Sequence, residues 1–168
     1  GSVYRTGPNA RYNNNYKQLS PLAKRTAKDC GLGKTCNNLF QSILVRMVET
    51  VYACEEALRL AEAYEEPDES CVTVKPKAGV GAGCTEAPRG ICLHRYELDS
   101  EGRIVTARIQ APTSQNQPQI ERDLRGVVQK NLHLADEALK WRCEQTIRNY
   151  DPCISCATHF LDFSIERG

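Results

Sequence analysis

Asp151-Pro152-Cys153-Ile154-Ser155-Cys156-Ala157-Thr158-His159 puts two thiols and an imidazole into one short run, beside a helix-start signal of its own. Asp151 suits an N-cap and Pro152 the first helical position, so the spacing predicts both cysteines within the first turn of a helix, on one face. Free backbone N–H groups and the positive end of the helix dipole favour thiolate over thiol there, and thiolate is the form that binds metal or attacks. His159, three residues beyond Cys156, extends the same face. A single C-x-x-C leaves four readings open: half of a zinc site, a redox pair, half of a larger metal site, or two small core residues. Zinc needs four ligands, and no second C-x-x-C or paired histidines exist. A thioredoxin-like role wants a strand before the motif, whereas the lead-in reads as helix.

Working outward, the segment before the motif predicts a helix starting near Asp136, with Leu139, Cys143 and Ile147 inward and Trp141 near its edge. A further helix carries Ile120, Leu124, Val127 and Val128, after a polar loop Ala111-Pro112-Thr113-Ser114-Gln115-Asn116-Gln117-Pro118. Two alternating runs, residues 91–98 and 103–109, flank Asp99-Ser100-Glu101-Gly102 and read as a β-hairpin. Ahead of them Gly79-Val80-Gly81-Ala82-Gly83-Cys84-Thr85-Glu86-Ala87-Pro88-Arg89-Gly90 has small residues that allow close backbone approach, and an arginine fixed between proline and glycine. It is a poor dinucleotide fingerprint, since no strand-to-helix unit follows. Arginines commonly hold ion pairs, and the rigid flanks are what single out Arg89.

Nearer the start, apolar residues Phe40, Ile43, Leu44, Met47, Val48, Val51, Tyr52, Leu58 and Ala61 recur at three- and four-residue intervals from Asn38 to Pro67, giving a long amphipathic helix with a solvated glutamate face. Ser20-Pro21 opens a shorter helix that Gly31 ends. Gly31-Leu32-Gly33-Lys34-Thr35 lacks phosphate-loop spacing and reads as a turn. Residues 68–77 read as a linker with a short strand at Cys71-Val72-Thr73-Val74, and residues 1–18 as irregular. His94 is expected to be a hydrogen-bonded core residue, His133 a surface one, and Cys54, Cys71 and Cys143 small buried ones.

A chain of 168 residues supports one domain, 1–168. Its net charge of +1 gives no electrostatic footprint for nucleic acid or an anionic membrane surface. No apolar run approaches the roughly 18 residues of a membrane-spanning helix, and no signal-peptide pattern opens the chain. Nine cysteines, odd in number and irregularly spaced, fit reduced thiols in a cytoplasmic protein. Gly1-Ser2-Val3 lacks an initiator methionine, so the expectation is a replaced start or a piece of a longer polypeptide.

Two motifs taken together, Gly-x-Gly-x-Thr-Glu-Ala-Pro-Arg-Gly followed by a strand with His94, and Asp-Pro-Cys-x-x-Cys-x-x-His, resemble the C-terminal half of the large, catalytic subunit of nickel-iron hydrogenases. Residues 112–116 and 148–152 look most like the soluble, bidirectional branch linked to NAD(P) or a deazaflavin. The resemblance implies an α+β, mainly α fold: a helical, bundle-like part of the large subunit with a small β-hairpin. It implies an enzyme interconverting H2 with protons and electrons, with Cys153 a terminal nickel thiolate and Cys156 a thiolate bridging nickel and iron. Carbon monoxide and cyanide would complete the iron, and magnesium or a similar ion would sit at His159. Arg89 matches the guanidinium overhanging the open coordination position, acting as a base or by electrostatics; a guanidine base needs a strongly lowered pKa, so electrostatics is physically easier. Pro88 and Thr113 match positions near the cyanides.

The family's other C-x-x-C lies in the N-terminal half of the large subunit, so that half is an implied partner. So are an iron-sulfur small subunit, NAD(P)- or deazaflavin-linked electron-transfer subunits and a maturation protease that trims after the histidine matching His159. Here residues 160–168 follow that histidine, as in a precursor or an untrimmed member. Apolar surfaces should be exposed where the missing half packs. The alternative is a degenerate or split hydrogenase-like scaffold, or a zinc-binding protein without hydrogenase activity. Descent from the complex I quinone-site subunit fits less well, because that lineage has lost these thiols.

Overall fold

Ser20 caps the helix that follows it: its Oγ accepts the Ala23 N–H at 3.0 Å, Pro21 fills the first turn, and α2 runs Pro21–Asp29. Asn38 does the same for a short 3-10 turn, Leu39–Gln41, which leads into α3, Ser42–Glu62. The structure is a computed structural model that describes residues 3–153. Only one edge of α3 is covered, where Val45 and Val48 pack with Ala23, Ala27, Leu19 and Leu32 to form the main core. Ile43, Met47, Leu58 and Leu60 on the same helix stay exposed.

The third wall of that core is α1, Pro8–Asn15, in a segment expected to be irregular. Its asparagine run gives poor helix propensity, and tertiary contacts override that. Tyr12 is buried edge-on to Tyr16 and donates its hydroxyl to the Gly33 carbonyl at 2.6 Å, while Asn9 donates to the Cys36 carbonyl at 3.2 Å. Burial pushes the Tyr12 phenol up to about 12.

The sheet holds three antiparallel strands in chain order rather than the single hairpin expected: β1 (Gly79–Ala87), β2 (Gly90–Leu98) and β3 (Ile104–Gln110). The glycine-rich run forms β1, in register with β2 from Gly79 opposite Leu98 to Ala87 opposite Gly90. Its glycines meet nothing: a Cβ at Gly79, Gly81 or Gly83 would have no atom within 4 Å. Close approach occurs instead at Gly90, where a Cβ would lie 1.8 Å from Thr6 Oγ1. No strand forms at residues 71–74, where Val72 and Val74 are exposed in the linker.

The polar run expected as a loop is the start of α4, Pro112–Asn131. Gln115 and Asn116 are buried there because they bond other backbone. Gln115 Nε2 donates to Ile91 O at 2.6 Å, and Asn116 Oδ1 accepts the Thr6 N–H at 2.8 Å. Against α4 packs α5, Asp136–Arg148, burying Leu139, Cys143 and Thr146; Ile147 is half-buried and Trp141 exposed. Cys143 is buried as expected, but Cys54 and Cys71 are exposed, being on the uncovered part of α3 and in the linker. Both outer strands are exposed along nearly their whole lengths, so the described residues leave wide apolar surface uncovered.

Candidate metal-centre edge

Arg89 sits in the two-residue connection between β1 and β2, Thr113 in the first turn of α4, and Cys153 five residues past the end of α5. These elements converge. Arg89 Nε donates to the Asp151 carbonyl at 2.6 Å and lies 3.4 Å from Asp151 Oδ2, and the Cys153 N–H donates to Thr113 Oγ1 at 3.2 Å. Cys153 is an exposed free thiol and Pro152 is buried beneath it. The sequence pattern therefore placed Arg89, Pro88, Thr113 and Cys153 among residues that the fold brings to one edge.

The expected helix start is corrected in its first residues. Asp151 has φ of 48°, in the left-handed region rather than the extended geometry of an N-cap, and no helix is present through Cys153. Aspartate tolerates this region better than most residues, at a cost of about 1–2 kcal/mol. Its position is fixed from both sides: the Asp151 N–H donates to Arg148 O at 2.9 Å, and Arg89 holds its carbonyl. Cys156 and His159, and the tail after them, lie outside the described residues.

The segment leaving α5 is anchored on α3 and α4. Ser42 Oγ and Arg46 donate to Asn149 O at 2.6 and 3.3 Å. Tyr150 donates to Asp123 Oδ2 at 2.5 Å, and Arg5 reaches the same carboxylate at 3.2 Å while its guanidinium lies 5.2 Å from the Tyr150 ring centroid. Burial, and then the hydrogen bond to Asp123, raises the Tyr150 hydroxyl, which keeps it a donor. Tyr150, Asp123 and Arg5 were not legible as site supports, because their partners are far away in sequence.

Arg11 is the other residue missed. It makes a bidentate pair with Glu49 at 2.7 and 2.9 Å and also reaches Glu86 at 2.7 Å. The hydrogen bond to Glu49 is the largest cause of its raised pKa. Arg11, Glu49, Tyr12, Pro88 and Asp151 line an open cleft of about 610 Å³. His94 Nδ1 lies 3.2 Å from the Tyr96 hydroxyl, its ring stacked on that tyrosine, which is the hydrogen-bonded role expected, although the open sheet leaves it only half-buried; His133 is at the surface.

As a donor set, one exposed cysteine near a guanidinium suits a soft metal, but it is incomplete. Among the described residues no group of three or more His, Cys, Asp or Glu side chains could hold a metal ion. A metal held here would need ligands beyond the described residues.

The family profile described as nickel-dependent hydrogenase matches residues 1–159. The NAD-reducing hydrogenase HoxS subunit beta of Cupriavidus necator is 35% identical over 96% of this chain and 35% of its own length. The sulfhydrogenase 1 subunit alpha of Pyrococcus furiosus is likewise 35% identical, over 96% of this chain and 38% of its own. The match thus covers little more than a third of the length of each of these two relatives. A solved NAD+-reducing [NiFe]-hydrogenase in the H2-reduced state superposes with a TM-score of 0.75 at 26% identity, over 94% of this chain and 36% of that one. The Ni-Fe-Se hydrogenase of Desulfomicrobium baculatum, at 22% identity and TM-score 0.64 over 92% of this chain and 34% of that one, shares the fold.

Proposed function

The chain belongs to the nickel-dependent hydrogenase family, and on that premise we propose that it is the part of a catalytic subunit that carries the C-terminal ligands of a nickel-iron centre. Cys153 and Cys156 would hold the metals as thiolates, and the remaining thiolates would come from the N-terminal portion of the subunit. When bound, the centre, with carbon monoxide and cyanide on iron, supplies the Lewis acidity and redox capacity for splitting H2 into protons and electrons.

The observation that carries this reading is the meeting of Arg89 and Cys153 through Asp151 and Thr113. Asp151 holds the Nε side of Arg89, and the terminal Nη groups have no hydrogen-bond partner among the described residues. Those N–H groups would be the ones left to donate to a group bound at this edge. A guanidinium stays protonated in proteins, so the role that fits Arg89 is to hold positive charge where charge separates as the H–H bond breaks. Pro88 shapes the turn that aims it, and Thr113 fixes the backbone of the Cys153 thiolate.

The electrons would leave through an iron-sulfur small subunit to NAD(P)- or deazaflavin-linked subunits, in the cytoplasm. No described helix is long and apolar enough to cross a membrane. Magnesium at His159 and removal of residues 160–168 by a maturation protease complete the reading. The test is to produce the complete subunit with its maturation proteins and small subunit and to measure nickel content and hydrogen-dependent viologen reduction. Nickel-loaded but inactive protein would contradict the reading, and zinc in place of nickel would favour the scaffold or zinc-binding alternative.

A further inference from the structure

Arg11 lies in α1, with no sequence proximity to the site, yet all five of its N–H donors are used. Nε and one Nη2 hydrogen bond Glu49, and one Nη1 hydrogen bonds Glu86. The other two reach backbone: Nη1 donates to Ala87 O at 2.9 Å and Nη2 to Pro88 O at 2.7 Å. The Pro88 carbonyl belongs to the peptide plane that leads into Arg89. On the far side of Arg89, its own carbonyl abuts Gly7, the residue that precedes α1, where a Cβ would come within 2.6 Å, and accepts from Thr6 Oγ1 at 3.5 Å. Residues 6, 7 and 11 thus grip both peptide planes flanking Arg89, and Glu49 on α3 fixes the guanidinium that does most of the gripping.

We propose that Arg11 is a positioning residue for Arg89, its fork seating the Pro88–Arg89 peptide so that the Arg89 guanidinium meets Asp151 and faces the Cys153 edge. This rests on the functional reading above. Planarity is essential to it. A lysine carries the charge that Glu49 needs but has one nitrogen, which cannot reach a carboxylate fork, a second carboxylate and two carbonyls at once. Pro88 is exposed and β1 lies on an open edge, so beside the β1–β2 pairing and the Thr6–Gly7 contact it is Arg11 that holds the turn.

The experiment compares Arg11→Met and Arg11→Lys in the complete enzyme. Nickel content and the infrared bands of iron-bound carbon monoxide and cyanide should be retained. The kcat for hydrogen oxidation should fall by about 10²-fold in Arg11→Met, the scale of a 1 Å misplacement, with KM for H2 within about twofold and a smaller loss in Arg11→Lys. In an Arg89→Lys background, adding Arg11→Met should cost nothing more, because the route through Arg89 is already gone. Losses that multiply in the double variant, or activity falling only in step with nickel content, would overturn the proposal. A second readout needs no metal: in the metal-free complete subunit, amide exchange over residues 86–91 should quicken about tenfold in both variants while α2 is unchanged. Unchanged exchange there in Arg11→Lys overturns the proposal even if Arg11→Met does not accumulate. An inactive, nickel-loaded wild type would instead defeat the functional reading, and the exchange result would still stand or fall by itself.

Discussion

Replacing Gly7 by alanine should damage both the fold and the site, and its size can be worked from the contacts. Gly7 has φ 96° and ψ −155°, a region essentially reserved for glycine. Occupying it with alanine costs about 1–3 kcal/mol. The new Cβ would also sit 2.6 Å from the Arg89 carbonyl oxygen and 3.1 Å from its carbon. Relaxing to an ordinary contact near 3.4 Å needs about 0.8 Å of separation, at an overpacking cost of about 1–3 kcal/mol. Together these come to about 2–6 kcal/mol. If the two segments share the movement, Arg89 shifts by about 0.4 Å, enough for about a sixfold loss of hydrogen oxidation on the scale of a hundredfold per ångström. Gly31→Ala is the control, since Gly31 also has positive φ, 71°, but open space around it; it should lose only about 1–2 kcal/mol and leave turnover unchanged. Thermal unfolding and hydrogen-dependent viologen reduction on both variants of the complete subunit provide the comparison. If Gly7→Ala behaves like Gly31→Ala in both, the close packing of the N-terminal segment against the arginine turn is wrong.

Thr113→Val removes the oxygen that accepts from the Cys153 N–H. Nickel affinity should fall about 10-fold or more, as for other groups that orient a ligand, and Thr113→Ser should restore it; equal nickel retention in Val and Ser variants would exclude the role. Tyr12 makes a pH prediction. Its phenol titrates at about 12 in the fold against an ordinary 10, chiefly because burial disfavours phenolate. Its stabilising contribution is therefore intact below pH 10 and lost as pH rises from 10 to 12, by up to about 2.7 kcal/mol at about 1.36 per unit. Tyr12→Phe should lose that alkaline dependence, while costing about 1 kcal/mol at neutral pH because Gly33 O loses its donor. Alkaline melting curves of the two proteins would decide, and parallel curves would count against the burial argument.

What could be read in the chain was what local chemistry dictates. Ser20-Pro21 and Asp99 through Gly102 specify their cap and turn within a few residues, and the periodicity after Asn38 announces α3. The misses share a cause. Asn13 to Asn15, the glycines of β1 and the polar residues 113–117 all have local preferences that tertiary structure overrides, through Tyr12 and Arg11 for α1, strand pairing for β1, and Gln115 and Asn116 for α4. At the site, motif resemblance singled out Arg89, Thr113 and Cys153, which the fold does bring together. It was silent about Arg11, whose function is expressed in contacts to residues 38 and 75–77 positions away. The local helix-start reading, for its part, took Asp151 for a cap, whereas its backbone is left-handed and its carbonyl accepts from Arg89.

Thiolate ligation at Cys153 of a hydrogen-splitting nickel-iron centre is the step on which the proposed function stands or falls. It is tested most directly by nickel analysis and infrared spectroscopy of the complete subunit, matured with its small subunit, as wild type and as Cys153→Ser. The wild type should hold about one nickel per subunit, show sharp bands from iron-bound carbon monoxide and cyanide, and reduce dye with hydrogen, with nickel and activity both lost in Cys153→Ser. Nickel and activity retained in the variant, or a nickel-loaded wild type without those bands or that activity, would contradict it.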